Sequence, residues 1–331
     1  DSIAAMLARW QSGIAPGAPF DLEREMMGVL IDISARTLFG TEVAADAQTI
    51  DESITTAFSV LHRRVLSAVP FPWWVPFPSH VRFLRAVAAL DEVVYRLIEE
   101  RRRSGAEGAD VLSTLLSVRD EAGEPMSDRQ IRDEVVTLIV AGHESTGGTL
   151  SWLLYMLSRY PQVAARVGAE LAEVLGGRTP TLQDLPRLQY LSRVLKETLR
   201  LYPPFWMLTR TPVVDDELSG HRVAAGSILM FSSYVTQRRP DFWPNPEAFD
   251  PERFTPERSE GRPQFAYFPF GGGPRLCIGG RLAEMQSLLV LATVLQRYDF
   301  HAVPGRRVEP AAMLSLRPKG GLWMTMHERS N

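Results

Sequence analysis

The sequence predicts a mainly α fold with small β-sheets, an α+β architecture. Three observations carry this. Apolar residues recur at three- and four-residue spacing through most of the first two hundred residues. The stretch from Asp128 to Arg159 contains no proline, and Pro161 stops it. After Pro203-Pro204 the texture changes to short β-prone runs alternating with Gly and Pro turns.

The elements follow in order. Helical periodicity runs through Ile3–Trp10, Leu22–Leu38, Ile54–Val65 and Val81–Ile98. Glu92/Arg96 and Glu99/Arg103 are i, i+4 pairs, the mark of a solvated helix face. Val69–Ser79 is dense in proline and tryptophan. It reads as a rigid apolar connection, serving either core packing, an oligomer contact or the lid of an apolar pocket. The longest helix, Asp128–Arg159, is opened by a Ser127/Gln130 capping box. At 1.5 Å per residue it is roughly 45–50 Å long. Leu208–Val214, Arg222–Ala225 and Ser227–Phe231 read as strands, Gly280–Tyr298 as a returning helix, and short strands close the chain. The expectation is one domain over residues 1–331, mostly helical through 205 and β-rich from 206, with the cysteine loop and the last long helix in the second part.

The chain has 331 residues, 45% hydrophobic, with a net charge of −3, enough for a substantial core. The near-balanced charge gives no sign of nucleic acid binding. One cysteine excludes a disulfide framework and fits a reducing, cytoplasmic setting. No apolar run reaches the ~18 residues of a transmembrane segment. Lys196 and Lys319 are the only lysines among many arginines, a bias consistent with a GC-rich bacterial genome.

That cysteine, Cys277, lies in Phe270-Gly-Gly-Gly-Pro-Arg-Leu-Cys-Ile-Gly279. An isolated cysteine is more often an inert core residue. Glycines on both sides argue otherwise, because they let backbone N–H groups close around one sulfur. Arg275 adds a fixed charge suited to a thiolate or an anionic cofactor group. Zinc needs further close ligands, and the six histidines are scattered with no i, i+4 pair. The glycine run is no phosphate loop, lacking Gly-Lys-Ser/Thr. The simplest reading is an axial thiolate on a haem iron.

The segment resembles the haem-binding signature of the cytochrome P-450 family, Phe-x-x-Gly-x-Arg-x-Cys-x-Gly, at Phe270, Gly273, Arg275, Cys277 and Gly279. Three further stretches are similar. Ala141-Gly-His-Glu-Ser-Thr146 resembles the family's oxygen-activation stretch, with Glu144 as acid and Ser145 as alcohol; the family usually has threonine at the second position, and Thr146 follows here. By spacing alone, Ala141, Glu144 and Ser145 share a helix face. The plain alternative is a mid-helix polar kink, with Ser145 bonded one turn back. Lys196-Glu197-Thr-Leu-Arg200-Leu-Tyr-Pro-Pro204 with Phe249-Asp-Pro-Glu-Arg253-Phe254 resembles the family's Glu-Arg-Arg network. Spacing alone would also allow a weak surface pair. Arg210 matches the family's propionate-binding arginine, with an ordinary exposed strand arginine as the alternative.

The resemblance implies haem b (iron protoporphyrin IX) lying between the long helix and the cysteine loop with its following helix, and Cys277 as axial ligand. It implies Arg275, Arg210, Ala141, Gly142, Phe270, Gly271 and Gly279 as cofactor contacts, Arg275 being buried against the haem. Glu144, Ser145 and Thr146 would be catalytic. Glu197, Arg200 and Arg253 would be a structural network, and Phe205, Trp206, Leu208, Leu314 and Ser315 would line the substrate pocket. The implied activity is a monooxygenase placing one oxygen atom of O2 into an apolar substrate, a fatty acid or another lipid or terpenoid, with electrons from a ferredoxin or a flavodoxin/reductase. Motif texture leans toward fatty acids. A peroxide-using or peroxide-rearranging relative, or an inactive haem-binding fragment, are the alternatives. On the family's usual layout a further region, on the order of a hundred residues, precedes this start. A serine hydrolase fits poorly, since Gly142-His-Glu-Ser145-Thr-Gly147 has one residue too many before the serine and lies within a helix.

Overall fold

The computed structural model describes residues 1–40, 46–65, 67, 72–75, 77–105, 108 and 110–329. It divides into two compact units. The first holds Asp1–Gly148 with Gly320–Trp323, the second Thr149–Lys319 with Met324–Asn331. The sequence's change of texture at residue 205 marks helix giving way to strand. The compact units instead part at Gly148/Thr149, within one continuous helix.

The first unit is helical: α1 (Ser2–Gly13), the short strand β1 (Phe20–Asp21), α2 (Leu22–Phe39), α3 (Ala47–Val65), α4 (Pro78–Ser104), α5 (Val111–Ser117) and the first part of α6 (Asp128–Arg159). Sequence chemistry sets the ends. Asp21 caps α2 by accepting the Glu23 N–H at 3.2 Å and also accepts the Leu322 N–H at 3.1 Å. Pro78 opens α4, and Gly40 and Gly105, both left-handed, close α2 and α4. At α6, the Gln130 side chain accepts the Ser127 N–H at 2.9 Å and the Ser127 hydroxyl accepts the Gln130 N–H at 3.3 Å. The capping box read from sequence is formed. Ile31, Phe39, Ile54, Val94, Leu97 and Val135 centre a core shared by α2 to α6. Gly147 lets α6 approach α2 closely: a Cβ there would lie 3.3 Å from the Met27 backbone.

Of the proline–tryptophan connection, residues 69–71 and 76 lie outside the described residues. Trp73 stacks on Phe83 with ring centroids 4.6 Å apart, whereas Trp74 is exposed.

The second unit continues α6 and adds α7 (Pro161–Leu175), α8 (Gln189–Leu201), the single turns α9 (Ser233–Thr236) and α10 (Pro256–Ser259), and α11 (Gly280–Leu295). Four antiparallel pairings involve β2 (Leu208–Arg210) with β5 (Leu229–Phe231), β3 (Asp216–Leu218) with β4 (His221–Val223), β7 (Pro310–Ala312) with β8 (Leu316–Pro318), and β6 (Tyr298–Ala302) with β9 (Trp323–Glu328). Several expected boundaries move, two of them for a plain reason. The strand expected over Leu208–Val214 stops at Arg210 because Pro212 has no N–H for a ladder. The helix expected to reach Tyr298 ends at Leu295, because Tyr298 is buried and pairs with Glu328. Strand β3, absent from the sequence reading, is joined to β4 by Ser219-Gly220, both at positive φ as a two-residue hairpin turn requires.

No helix among the described residues is long and apolar enough to cross a membrane.

Candidate active site

The cysteine loop is built by its glycines. Gly271 and Gly273 sit at φ +76° and +69°, a region that L side chains rarely enter. The Gly271 N–H donates to the Phe268 carbonyl and the Leu276 N–H to Gly273, each at 3.0 Å. The Cys277 N–H then donates to the Phe270 carbonyl at 3.0 Å, closing the loop on itself. Helix α11 starts three residues later, and the Phe270 ring packs where a Cβ on Gly280 would lie 3.4 Å away. Leu208 of β2 reaches the same loop, 3.6 Å from a Cβ placed on Gly271. The loop therefore presents Cys277 outward, and its thiol is exposed.

The surroundings of the thiol are chemically specific. Leu276, Ile278 and Phe265 are exposed apolar side chains. Arg275 is exposed, and among the described residues it pairs with no carboxylate. Arg210 is exposed as well, and among the described residues its guanidinium donates only to the carbonyl of Thr209, at 2.8 Å. A soft sulfur donor, an apolar surface and two arginines without carboxylate partners among the described residues are a donor set suited to iron in a flat apolar ring bearing carboxylates.

Behind the loop lies a buried ionic network. Glu197 and Arg200 are wholly buried, and Arg253 nearly so. Arg200 forks onto Glu197, Nε to Oε2 at 2.7 Å and Nη2 to Oε1 at 2.8 Å. Glu197 Oε1 also accepts the Asp250 N–H at 2.9 Å and faces Arg253 Nε at 3.4 Å. Burial pushes the Glu197 carboxyl up; the Arg200 guanidinium, the Asp250 N–H and Arg253 pull against it. Arg200 Nη1 donates to the Gln237 and Pro246 carbonyls at 2.9 and 2.7 Å. The pair is thus no weak surface bridge.

Gln237 was not visible as a site residue in the sequence. It is fully buried. Its Nε2 donates to the Leu199 and Arg200 carbonyls at 3.1 and 3.0 Å, and its Oε1 accepts the Phe268 N–H at 3.0 Å. It thereby ties helix α8 to the entry of the cysteine loop.

Two segments expected to line the substrate pocket come together. The Leu316 N–H donates to the Pro204 carbonyl at 2.8 Å, and Trp206 Nε1 donates to the Met313 carbonyl at 2.8 Å. Ser315 is buried, Leu314 and Trp206 are half-buried, and Phe205 is exposed.

On α6, Glu144 and Thr146 are buried, Ser145 is half-buried and Ala141 is exposed. The Ser145 hydroxyl donates to the Ala141 carbonyl at 3.1 Å, the one-turn back-bond that the sequence left as an alternative. Gly142 has a packing use: a Cβ there would lie 3.1 Å from Ser34 Oγ. Its smallness lets α2 approach.

The fold is mainly helical with small antiparallel sheets, and it presents the chain's one cysteine ahead of a helix. The cytochrome P450 family model matches residues 1–324, and the chain belongs to that family. It is 38% identical to cyclooctat-9-en-7-ol 5-monooxygenase of Streptomyces melanosporofaciens, over 92% of this chain and 66% of that protein. It is 35% identical to pentalenene oxygenase of Streptomyces avermitilis, over 95% and 69% respectively. The chain thus spans about two thirds of the length of these relatives. Its fold is similar to the crystal structure of the cytochrome P450DA heme domain, with a TM-score of 0.87 and 27% identity, covering 99% of this chain and 72% of that one. Family and structural neighbour support haem, iron protoporphyrin IX, as cofactor.

Proposed function

We propose that the chain carries the catalytic region of a haem-thiolate monooxygenase that places one oxygen atom of O2 into an apolar substrate. The observation that carries this is the exposed Cys277, held by its N–H bond to Phe270 in a loop with Arg275, which among the described residues pairs with no carboxylate. When bound, haem supplies oxygen activation at an iron whose thiolate ligand favours O–O cleavage.

The chain's own residues do the rest. Cys277 holds the iron. Arg210 and Arg275 match the cofactor's carboxylates, and Phe270, Gly271, Gly279 and Ala141 give it flat, small-residue contacts. Glu144 moves protons. Ser145, back-bonded to the Ala141 carbonyl at 3.1 Å, orients water. Thr146, buried beside it, steadies that turn. Phe205, Trp206, Leu208, Leu314 and Ser315 line the apolar substrate site. Glu197, Arg200 and Arg253 act on none of these groups directly; they hold the loop. The electron donor is a separate ferredoxin or flavodoxin/reductase, and the setting is the cytoplasm of a bacterium.

For the substrate, relatives named for cyclooctat-9-en-7-ol and pentalenene favour a terpenoid over the fatty acid suggested by motif texture. The test is turnover of the haem-loaded chain with a reduced ferredoxin, isotopically labelled O2 and a panel of cyclic terpenes and fatty acids. A hydroxylated terpene carrying one labelled oxygen is expected. Label absent from the product, or turnover supported only by peroxide, contradicts the reading.

A further inference from the structure

Away from the cysteine, the second unit contains a cavity of about 320 Å3 lined by Asp241, Trp243, Arg253, Arg258, Glu260 and Arg262 among others. Its charge is unbalanced. Arg200, Arg253, Arg258 and Arg262 lie around it or just behind it. Glu197 answers Arg200 and Arg253 together, and Asp250 answers Arg258 at 2.9 Å. The cavity's own acids are Asp241, which pairs with Arg239, and Glu260. Arg262 pairs with no carboxylate among the described residues.

Arg262 is nevertheless held in place. Its Nη2 donates to the Arg253 carbonyl at 2.6 Å and to the Arg258 carbonyl at 3.0 Å. Its guanidinium lies 4.2 Å over the Trp243 ring. Arg253 is equally fixed, donating to the Pro244 and Asn245 carbonyls. These are donors with locked positions and spare N–H capacity, the arrangement that recognises an oxyanion. Burial pushes both guanidiniums below their ordinary value. Glu197 opposes this for each, and neighbouring guanidiniums add to it. A bound negative charge relieves that crowding.

We propose that this cavity binds a small oxyanion of the phosphate or carboxylate class, gripped by Arg262 with Arg253 and Arg258. The site is independent of the haem reading. It has a structural consequence, since Arg262 opens the segment that runs through Ala266, held by Trp243 Nε1 at 3.2 Å, to Phe268 and the cysteine loop. Filling the cavity steadies that segment.

The experiment titrates the chain with inorganic phosphate, and separately with acetate, at ionic strength fixed with chloride, reading melting temperature and heat of binding. A saturable rise with phosphate or acetate, absent with chloride, is expected; which anion binds more tightly separates the two sources. Arg262→Gln should weaken binding about tenfold or more, the loss of a charge-assisted pair. Glu260→Gln removes the cavity acid that has no ion pair among the described residues and should strengthen binding severalfold. No saturable response, or a response that Arg262→Gln leaves unchanged, overturns the proposal. If Arg262→Gln fails to fold, Glu260→Gln decides, and unchanged affinity in that variant overturns it as well.

Discussion

Gln237 accepts the Phe268 N–H at 3.0 Å, and this one bond links the buried Glu197–Arg200 network to the loop that presents Cys277. One residue, Pro269, separates Phe268 from Phe270, whose carbonyl receives the Cys277 N–H. The position of the sulfur is therefore set through Gln237, from a helix on which none of the loop's own residues lie.

Replacing Gln237 by leucine leaves the Phe268 N–H and one bond to each of the Leu199 and Arg200 carbonyls unmade. The expected cost is about 1–3 kcal/mol of stability. Amide exchange at Phe268 and Cys277 should accelerate more than exchange in α7. Uniform acceleration, or none, would show that the bond does not position the loop.

The Glu197–Arg200 pair predicts strong non-additivity. Glu197→Gln leaves two buried guanidiniums without their carboxylate, and roughly 3–5 kcal/mol should be lost in urea unfolding. Combining it with Arg200→Met removes the stranded charge as well. The double variant should lose clearly less than the sum of the single losses. Simple additivity would contradict the coupling that the two short bonds imply.

Glu170 reaches from α7 to cap α8, accepting the Tyr190 and Leu191 N–H groups at 2.6 and 2.9 Å. A carboxylate at a helix N-terminus satisfies two otherwise unpaired donors and meets the helix dipole. Glu170→Ala should cost about 1 kcal/mol. Glu170→Gln should retain part of the effect. Equal losses in both variants would deny any role for the charge.

Acid stability should carry the signature of Asp184. Its side chain accepts from Arg178 Nη1 at 2.7 Å and from the Thr181 N–H at 2.8 Å. The Arg178 guanidinium, with the Thr181 N–H, holds the carboxyl well below the usual carboxylate range. A depressed folded-state value contributes stability that is fully present above the unfolded value, near pH 4, and is lost as pH falls toward the folded value. Asp184→Asn should therefore be less stable than the parent at neutral pH, and the gap should narrow below about pH 4. A gap that stays constant or widens on acidification contradicts this.

Local chemistry was legible in the sequence. Ser127 and Gln130 marked the start of α6 and Pro161 its end, because capping and proline act over three or four residues. The cysteine loop was legible for the same reason: Gly271 and Gly273 adopt conformations that glycine alone enters readily. What stayed hidden depends on distant partners. Gln237 and Glu170 look like ordinary surface residues until folding brings Phe268 and α8 beside them. The packing of Gly142 against Ser34 was hidden too, since it depends on where α2 passes α6. Tyr298 continued a helical pattern, yet strand pairing with Glu328 prevailed over it.

Cys277 as the iron ligand is tested most directly by the absorption spectrum of the haem-loaded chain, reduced under carbon monoxide, beside Cys277→Ser. The expected result is a strongly red-shifted Soret band in the parent that is lost in the variant while haem stays bound. An unshifted band in the parent, or the same shifted band in Cys277→Ser, would contradict a thiolate at this position.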